Sequence, residues 1–340
     1  MTTAAESLSR SRALVEPALR AAVERLDPKM RLVASYHFGW VDAEGQPTTA
    51  NAGKALRPGL AVTVAEAVAG SAEAAVPGAV AVELIHNFSL VHDDLIDRDT
   101  ERRHRPTVWA VWDDTTAILA GDAMSALAHE VLASSGSPRA LTASQALGAA
   151  TRELIRGQAQ DVAFEQRDDV TLDECLSMVA GKTGALLAVS AEIGAILTGA
   201  DDDVCEAFRV FGAELGMAFQ IVDDLLGVWG ATEVTGKPVY ADLAAGKKNL
   251  PVVWSLENGG DAGAQLAAWF AEHEVRGDVP LDDLEKAAGL IEEAGGRRWA
   301  TEAAEQHVAA AVAAIEAVDL TPAARARLVD LARFVTDREQ

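Results

Sequence analysis

The chain has 340 residues, 49% hydrophobic and 24% charged, a balance that excludes disorder for most of its length and allows a substantial buried core. Its 52 acidic and 29 basic residues give a formal charge of -23 with no Lys/Arg-rich face, so no nucleic-acid partner is expected, and an anionic substrate would need local cations or metal ions. Cys175 and Cys205 are too few for a disulfide scaffold and lack zinc-site spacing, which points to a reducing, cytoplasmic setting; no transmembrane segment is expected, because even the apolar run 179–199 holds Lys182 and Glu192.

In chain order, residues 1–10 read as a mobile tail. Apolar residues then recur at helical spacing almost throughout, which predicts an all-α chain. Helices are expected near 10–27, 54–70, 77–99, 108–134, 138–165, 171–198 and 203–229, with shorter ones near 251–257, 263–274, 281–295, 297–317 and 322–337. Pro77 with Gly78, the stretch from Gly136 to Pro138, the run Asp201 to Asp203, and Thr321 before Pro322 punctuate these segments. No Ser/Gly/Pro-rich linker divides the chain, so residues 1–340 read as one domain, with 260–340 as an Ala-rich helical packing layer. The polar stretch from Gly230 to Pro251 is the least helical and a place to look for function.

Between Glu83 and Thr107 an apolar helix turns acidic. Asp93, Asp94 and Asp97 fall within one turn and share a face, so three like charges crowd together after Leu84, Ile85, Phe88, Leu90 and Val91. Hard cations bridging the carboxylates would relieve that repulsion, and Mg²⁺ completed by water and phosphate oxygens fits best, with Mn²⁺ as a substitute. The alternative is a solvated acidic face. Arg102 and Arg103 follow, with guanidinium groups suited to phosphate oxygens.

The segment FQIVDDLLGVWG repeats the pattern, an apolar helix ending in Asp223 and Asp224. Lys237 and Lys247 follow in the polar stretch, ten residues apart, where they could close over a phosphate. Lys182 and Thr183 stand in GKTGAL, which lacks P-loop spacing and is weak evidence alone. In GKALRP, Lys54 and Arg57 fall three apart in a first helical turn, whose free N–H groups also favour anions.

In this order the segments resemble the polyprenyl synthetase family, the head-to-tail trans-isoprenyl diphosphate synthases. The matching pieces are GKALRP, HDDLID with the Arg pair and PT, Gly121-Asp122, GQ with Asp161, GKTGAL, FQIVDD, and TGKP through GKKNLP, covering about residues 53–251. The resemblance implies a single bundle of long antiparallel helices around a central cavity, the isoprenoid synthase fold, acting as a homodimer on isopentenyl diphosphate and an allylic diphosphate. It assigns Asp93, Asp94 and Asp97 to one metal site, and Asp223 with Asp224 to a second. Arg102, Lys182, Thr183, Gln220, Lys237 and Lys247 would surround the allylic diphosphate, and Gly53, Lys54, Arg57, His86 and Arg103 the isopentenyl diphosphate. In that chemistry the allylic C–O bond ionises, the carbocation alkylates the isopentenyl double bond, and a proton leaves with the diphosphate, so no protein base is needed.

Two positions depart from the family pattern: Gly227 stands where a third aspartate is common, and His104 follows the Arg pair where glycine is usual. Phe88, five residues before Asp93 and about 7–8 Å along the helix axis, with small Ser89 beside it, resembles the archaeal-type pattern of twenty-carbon products. Geranylgeranyl diphosphate is therefore the expected product, with farnesyl or longer diphosphates as alternatives. His92 reads as a packing residue or a supporting partner of the aspartates rather than a ligand, and His37 and Trp40 as anchors for the N-terminal helix. A class I terpene cyclase is disfavoured, since Gly227 and Ala231 occupy its hydroxyl and acid positions. A non-catalytic partner subunit is disfavoured because the first aspartates and their cations are retained.

Overall fold

The computed structural model describes residues 3–48, 55–164, 167, 169–232, 238–273 and 279–336. The all-α expectation holds. The helices are α1 (Ala4–Val23), α2 (Pro28–His37), α3 (Leu56–Ala69), α4 (Val76–Ile96), α5 (Val108–Val111), α6 (Asp114–Ala133), α7 (Ala140–Phe164), α8 (Leu172–Val179), α9 (Ala185–Leu197) and α10 (Asp202–Trp229). They continue as α11 (Ala241–Ala244), α12 (Leu250–Asn258), α13 (Gly260–Glu272), α14 (Leu281–Ala294), α15 (Gly296–Ala314) and α16 (Pro322–Thr336). Among the described residues the only strands are β1 (Glu101–Arg102) and β2 (Arg105–Pro106), an antiparallel pair.

The chain divides into two compact units. One comprises 1–151, 189–209 and 318–328; the other 152–188, 210–317 and 329–340. In the first, α4 packs along α3 and α6, burying Leu60, Leu84, Ile85, Met124 and Leu132 almost completely. Close approach there needs small residues: a Cβ on Gly59 would fall 2.3 Å from Leu8 Cδ2, and one on Gly194 2.3 Å from the Ala61 carbonyl oxygen. In the second unit the end of α10 packs with α12–α14, around Val228, Leu243, Leu266 and Ile291.

Several expectations change. The mobile tail over 1–10 is corrected: Thr3 and Glu6 form a reciprocal capping box, and Leu8 is buried, so α1 begins at Ala4. The helix expected over 10–27 stops at Val23, and a separate α2 starts where Asp27 caps and Pro28 takes the first turn. The helix expected over 108–134 breaks at Trp112 because Asp113 caps α6 through Thr116 N. The run 171–198 contains a π-helical turn at Ala180–Gly184. By length and composition, Glu73–Ile96 and Leu172–Leu197 could cross a membrane, but packing accounts for their apolar character: 61% and 78% of their most apolar windows are buried within the fold.

Candidate active site

In the first unit, α4 carries its carboxylates to its C-terminal turn. Asp93 is partly exposed, Asp97 is exposed and caps the helix, and Asp94 is buried to 1% exposure. The inner carboxylate is held by Arg102, whose Nε donates to Asp94 Oδ1 at 2.5 Å while its Nη2 stands 3.8 Å from Asp93 Oδ2. Asp94 Oδ2 is buried without a hydrogen-bond partner. Burial outweighs the opposing Arg102 charge and pushes the Asp94 carboxyl up to about 6.

The β1–β2 hairpin aims Arg102. Its two turn residues, Arg103 and His104, have φ of 53° and 60°, the left-handed pair of a primed hairpin turn; this accounts for the glycine usual at His104 in the family. The ladder is too short to stand alone, and α2 secures it. Arg105 donates to the Tyr36 and Val41 carbonyls at 2.8 and 2.9 Å, and the Tyr36 hydroxyl donates to the Pro106 carbonyl at 2.8 Å. Tyr36, His37, Asp94, Arg102, Arg103 and Arg105 thereby line a small cleft.

Arg57 Nη1 stands 3.3 Å from His86 Nε2, which joins two of the residues assigned to isopentenyl diphosphate. Arg57 Nε is buried and unpartnered, and burial lowers the guanidinium to about 10. Burial, then the charge of Arg57, drives His86 well below its ordinary value. Arg103, itself lowered by burial, shares the field of Glu83. Fixed guanidinium groups beside neutral imidazoles suit an anion. Gly53 and Lys54, assigned to the same pocket, lie outside the described residues.

The expected anchoring role divides. Trp40 lies under the Arg20 guanidinium of α1 at 4.3 Å, whereas His37 Nε2 meets Asn87 Oδ1 of α4 at 3.1 Å. Burial, aided by Arg103 and Arg102, lowers His37 to about 3. Its folded value lies below the unfolded 6.5, so the stability it confers is present above pH 6.5 and lost as pH falls. Asp94 and Glu83 shift the opposite way, so the test is a difference: between pH 6.5 and 4.5, wild type should lose about 2.5 kcal/mol relative to His37→Gln in urea unfolding. Parallel stability curves would rule this out.

His92 is a packing residue, as expected. Its Nε2 meets the Ile118 carbonyl at 3.0 Å, and a Cβ on Gly121 would fall 2.2 Å from that nitrogen, so only glycine fits beneath it. Phe88 packs edge-on against the His92 ring at 4.9 Å, and Ser89 Oγ donates to the His86 carbonyl.

In the second unit, the π-helical turn presents Lys182 and Thr183. A Cβ on Gly157 of α7 would lie 2.2 Å from the Lys182 amide nitrogen, and one on Gly216 of α10 2.6 Å from Gly184 Cα, so the turn is clasped between glycines. Lys182 Nζ donates to Asp161 Oδ2 at 2.6 Å. A relay runs from the Thr183 hydroxyl to Gln220 Oε1 at 2.8 Å, and from Gln220 Nε2 to Asp224 Oδ1 at 2.8 Å. The Leu250 amide donates to Asp224 Oδ2 at 3.0 Å.

The sequence treats Asp223 and Asp224 as equals, but the structure does not. Asp224 is 8% exposed with a hydrogen bond on each oxygen, and burial pushes its carboxyl up to about 7, whereas Asp223 is exposed. Both acidic motifs thus pair an outer carboxylate with a buried, protein-bonded inner one. Lys247 is exposed, its backbone N–H bonded to the Asp242 carbonyl, and Lys237 lies outside the described residues. Sequence reasoning missed Asp242 and Asn249: Asn249 Nδ2 donates to Asp242 Oδ2 at 3.1 Å and to the Asp224 carbonyl at 3.2 Å. Their signal was membership of the polar stretch after Gly230 and of the family-matching segment from TGKP to GKKNLP.

In each unit the donors suit a hard divalent cation: they are oxygens, with Asp94 Oδ2 in the first and Asn249 Oδ1 in the second buried without a partner, and each unit holds one buried carboxylate, Asp94 or Asp224, where burial penalises its charge.

An all-α chain with two helices that each carry an outer and a buried carboxylate, the first pair flanked by Arg102, fits a transferase of the prenyl diphosphate synthase class. The polyprenyl synthetase family model matches residues 39–280, and the chain belongs to that family, the prenyl diphosphate synthases. It is 54% identical over 326 residues to a (2E,6E)-farnesyl diphosphate synthase of Mycobacterium tuberculosis, covering 96% of this chain and 91% of that protein. A geranylgeranyl diphosphate synthase of the same organism is 39% identical over 333 residues, covering 98% and 93%. The crystal structure of a polyprenyl synthetase from Streptomyces coelicolor A3(2) superposes with a TM-score of 0.93 at 49% identity, covering 97% of this chain and 98% of that one.

Proposed function

We propose that this trans-prenyl diphosphate synthase joins isopentenyl diphosphate head-to-tail to an allylic diphosphate with Mg²⁺, and that farnesyl diphosphate is its main product. The observation that carries the chemistry is the repeated motif: outer carboxylates, Asp93 and Asp97 at the end of α4 and Asp223 within α10, with the buried partners Asp94 and Asp224 held by the protein. Arg102 and Lys182, held by Asp94 and Asp161, supply fixed positive charge for the leaving diphosphate, exposed Lys247 adds a further cation, and Thr183 and Gln220 position Asp224. Arg57 and Arg103, with neutral His86, take the second diphosphate. Bound Mg²⁺ would neutralise charge on the departing diphosphate oxygens. The higher identity to the farnesyl than to the geranylgeranyl relative favours the shorter product over the sequence expectation.

The test is incubation with isopentenyl diphosphate, Mg²⁺ and each allylic diphosphate in turn, followed by mass analysis of the dephosphorylated products. A fifteen-carbon alcohol from the five- and ten-carbon donors is expected. A hydrocarbon from the allylic substrate alone would point to a cyclase, and absence of turnover by folded protein would defeat the proposal.

A twenty-carbon product is the second reading, favoured by Phe88 with Ser89 beside it. Under either reading Phe88 acts as a floor propped by His92. Phe88→Ala should shift the product distribution upward by at least one five-carbon unit. An unchanged distribution from the folded variant would remove Phe88 from chain-length control.

A further inference from the structure

Beside the π-helical turn of the second unit stands a guanidinium that the proposed diphosphate sites do not use, Arg156 of α7. Its Nη1 donates to Ser177 Oγ and its Nη2 to the Ser177 carbonyl, each at 3.2 Å, so it grips α8 three residues before the turn begins. The side chain is aimed from its own helix: Glu153 Oε2 accepts from Nε at 2.8 Å, and Gln160 Oε1 accepts from Nη1 at 2.5 Å. The first glycine of GKTGAL makes room for it, since a Cβ on Gly181 would fall 2.9 Å from Arg156 Nη2 and 2.8 Å from the Glu153 carbonyl oxygen. We propose that Arg156 is a positioning residue for the leaving-diphosphate site: by holding Ser177 it keeps the turn π-helical and so fixes where Lys182 stands.

The turn needs such a hold. Its wide bond runs from the Ala185 amide to the Ala180 carbonyl, and a π-helical turn of this kind is rare and persists where its surroundings favour it over a regular α-helix. The Ser177 carbonyl, which also accepts from the Ala180 amide, marks the place where α8 passes into the turn, and Arg156 gives it a second donor from another helix. Gly157 and Asp161, four apart on α7, continue the grip: a Cβ on Gly157 would lie 2.2 Å from the Lys182 amide nitrogen, and Asp161 Oδ2 accepts from Lys182 Nζ at 2.6 Å. Relaxation to a regular α-helix would shift the register between α8 and α9 by one residue, about 100° of rotation. The start of α9 is held against α10, where a Cβ on Gly212 would fall 2.4 Å from the Leu187 carbonyl oxygen, so that rotation would fall on the turn and on Lys182.

This inference rests on the proposed synthase reading. Its test is Arg156→Met in the full chain, which keeps the apolar stem and removes the guanidinium. Arg156 is 41% exposed, so its loss should leave the fold intact and move the thermal midpoint by less than about 3 °C. Turnover should fall about 10- to 100-fold, the scale of a misplacement near 1 Å. KM for isopentenyl diphosphate should stay within about twofold of wild type, because Arg57, His86 and Arg103 are untouched. In a Lys182→Ala background the same substitution should cost less than about threefold, because its effect passes through a side chain already removed.

Wild-type turnover in Arg156→Met, or an equal loss in the Lys182→Ala background, overturns the inference while leaving the synthase reading intact. A matching rise in KM for isopentenyl diphosphate does the same, since it marks damage beyond the turn. Wild-type protein without turnover overturns the synthase reading, and the inference with it. Should Arg156→Met fail to fold, Arg156→Gln, too short to reach Ser177, carries the test on the same criteria.

Discussion

Asp93→Asn should reduce turnover by at least about 10²–10³-fold, the usual cost of removing one group that stabilises developing charge, while leaving the fold intact. The argument starts from where the side chain stands. Asp93 is on the last turn of α4, partly exposed, one turn before Asp97, and Arg102 Nη2 stands 3.8 Å from it while bonding more closely to Asp94. The fold gains little from two like charges so close, so neutralising one should change stability by no more than about 0.5 kcal/mol. Separating the two effects is the purpose of the experiment. Steady-state kinetics at saturating Mg²⁺ should show the loss, and urea unfolding without metal should show none. A loss of less than tenfold would mean that Asp94 and Asp97 suffice and that the outer position is not where the cation is held.

The opposite balance is expected at Asp224. Its oxygens accept from Gln220 Nε2 and from the Leu250 amide, and its carbonyl accepts from Asn249, so α10, the π-helical turn and the start of α12 converge on one residue. Asp224→Ala strands those donors in a buried site and should cost about 2–3 kcal/mol of stability. Asp224→Asn should cost under about 1 kcal/mol, because Gln220 can turn its amide to accept from the new NH₂ and still meet the Thr183 hydroxyl.

The raised carboxyl bears on wild type alone. Its folded value near 7 exceeds the unfolded value, so without metal its contribution to stability is present at low pH and lost as pH rises through about 4–7. Both uncharged variants avoid that loss, so the contrast between them reports the stranded hydrogen bonds alone. Thermal melts of both variants at pH 7, without metal, decide the matter. An alanine variant as stable as the asparagine one would show that Asp224 organises nothing.

Much of this was legible because some determinants are local. The four-residue step from Asp93 to Asp97 places both on one helix face whatever else the chain does. Apolar periodicity set most of the helices, and GKTGAL and FQIVDD in that order marked the family. Caps decided by a single side chain were harder to see. Asp27 and Asp113 each end one expected helix and start another, and Thr3 with Glu6 turns an apparent tail into the first turn of α1.

What local pattern could not carry was the difference between adjacent carboxylates. Asp93 and Asp94, like Asp223 and Asp224, are indistinguishable as residue types. They separate only when a hairpin secured by Tyr36 and Arg105 brings Arg102 to Asp94, and when the Leu250 amide reaches Asp224. The same holds for Gly227, which looks like a missing ligand in sequence and is room for Asp242 in space. Residue order set the helices and the kinds of ligand available, because helical spacing and charge are properties of neighbours along the chain. Tertiary packing decided which carboxylates are buried and which stay exposed, because desolvation and hydrogen-bond partners come from segments distant in sequence.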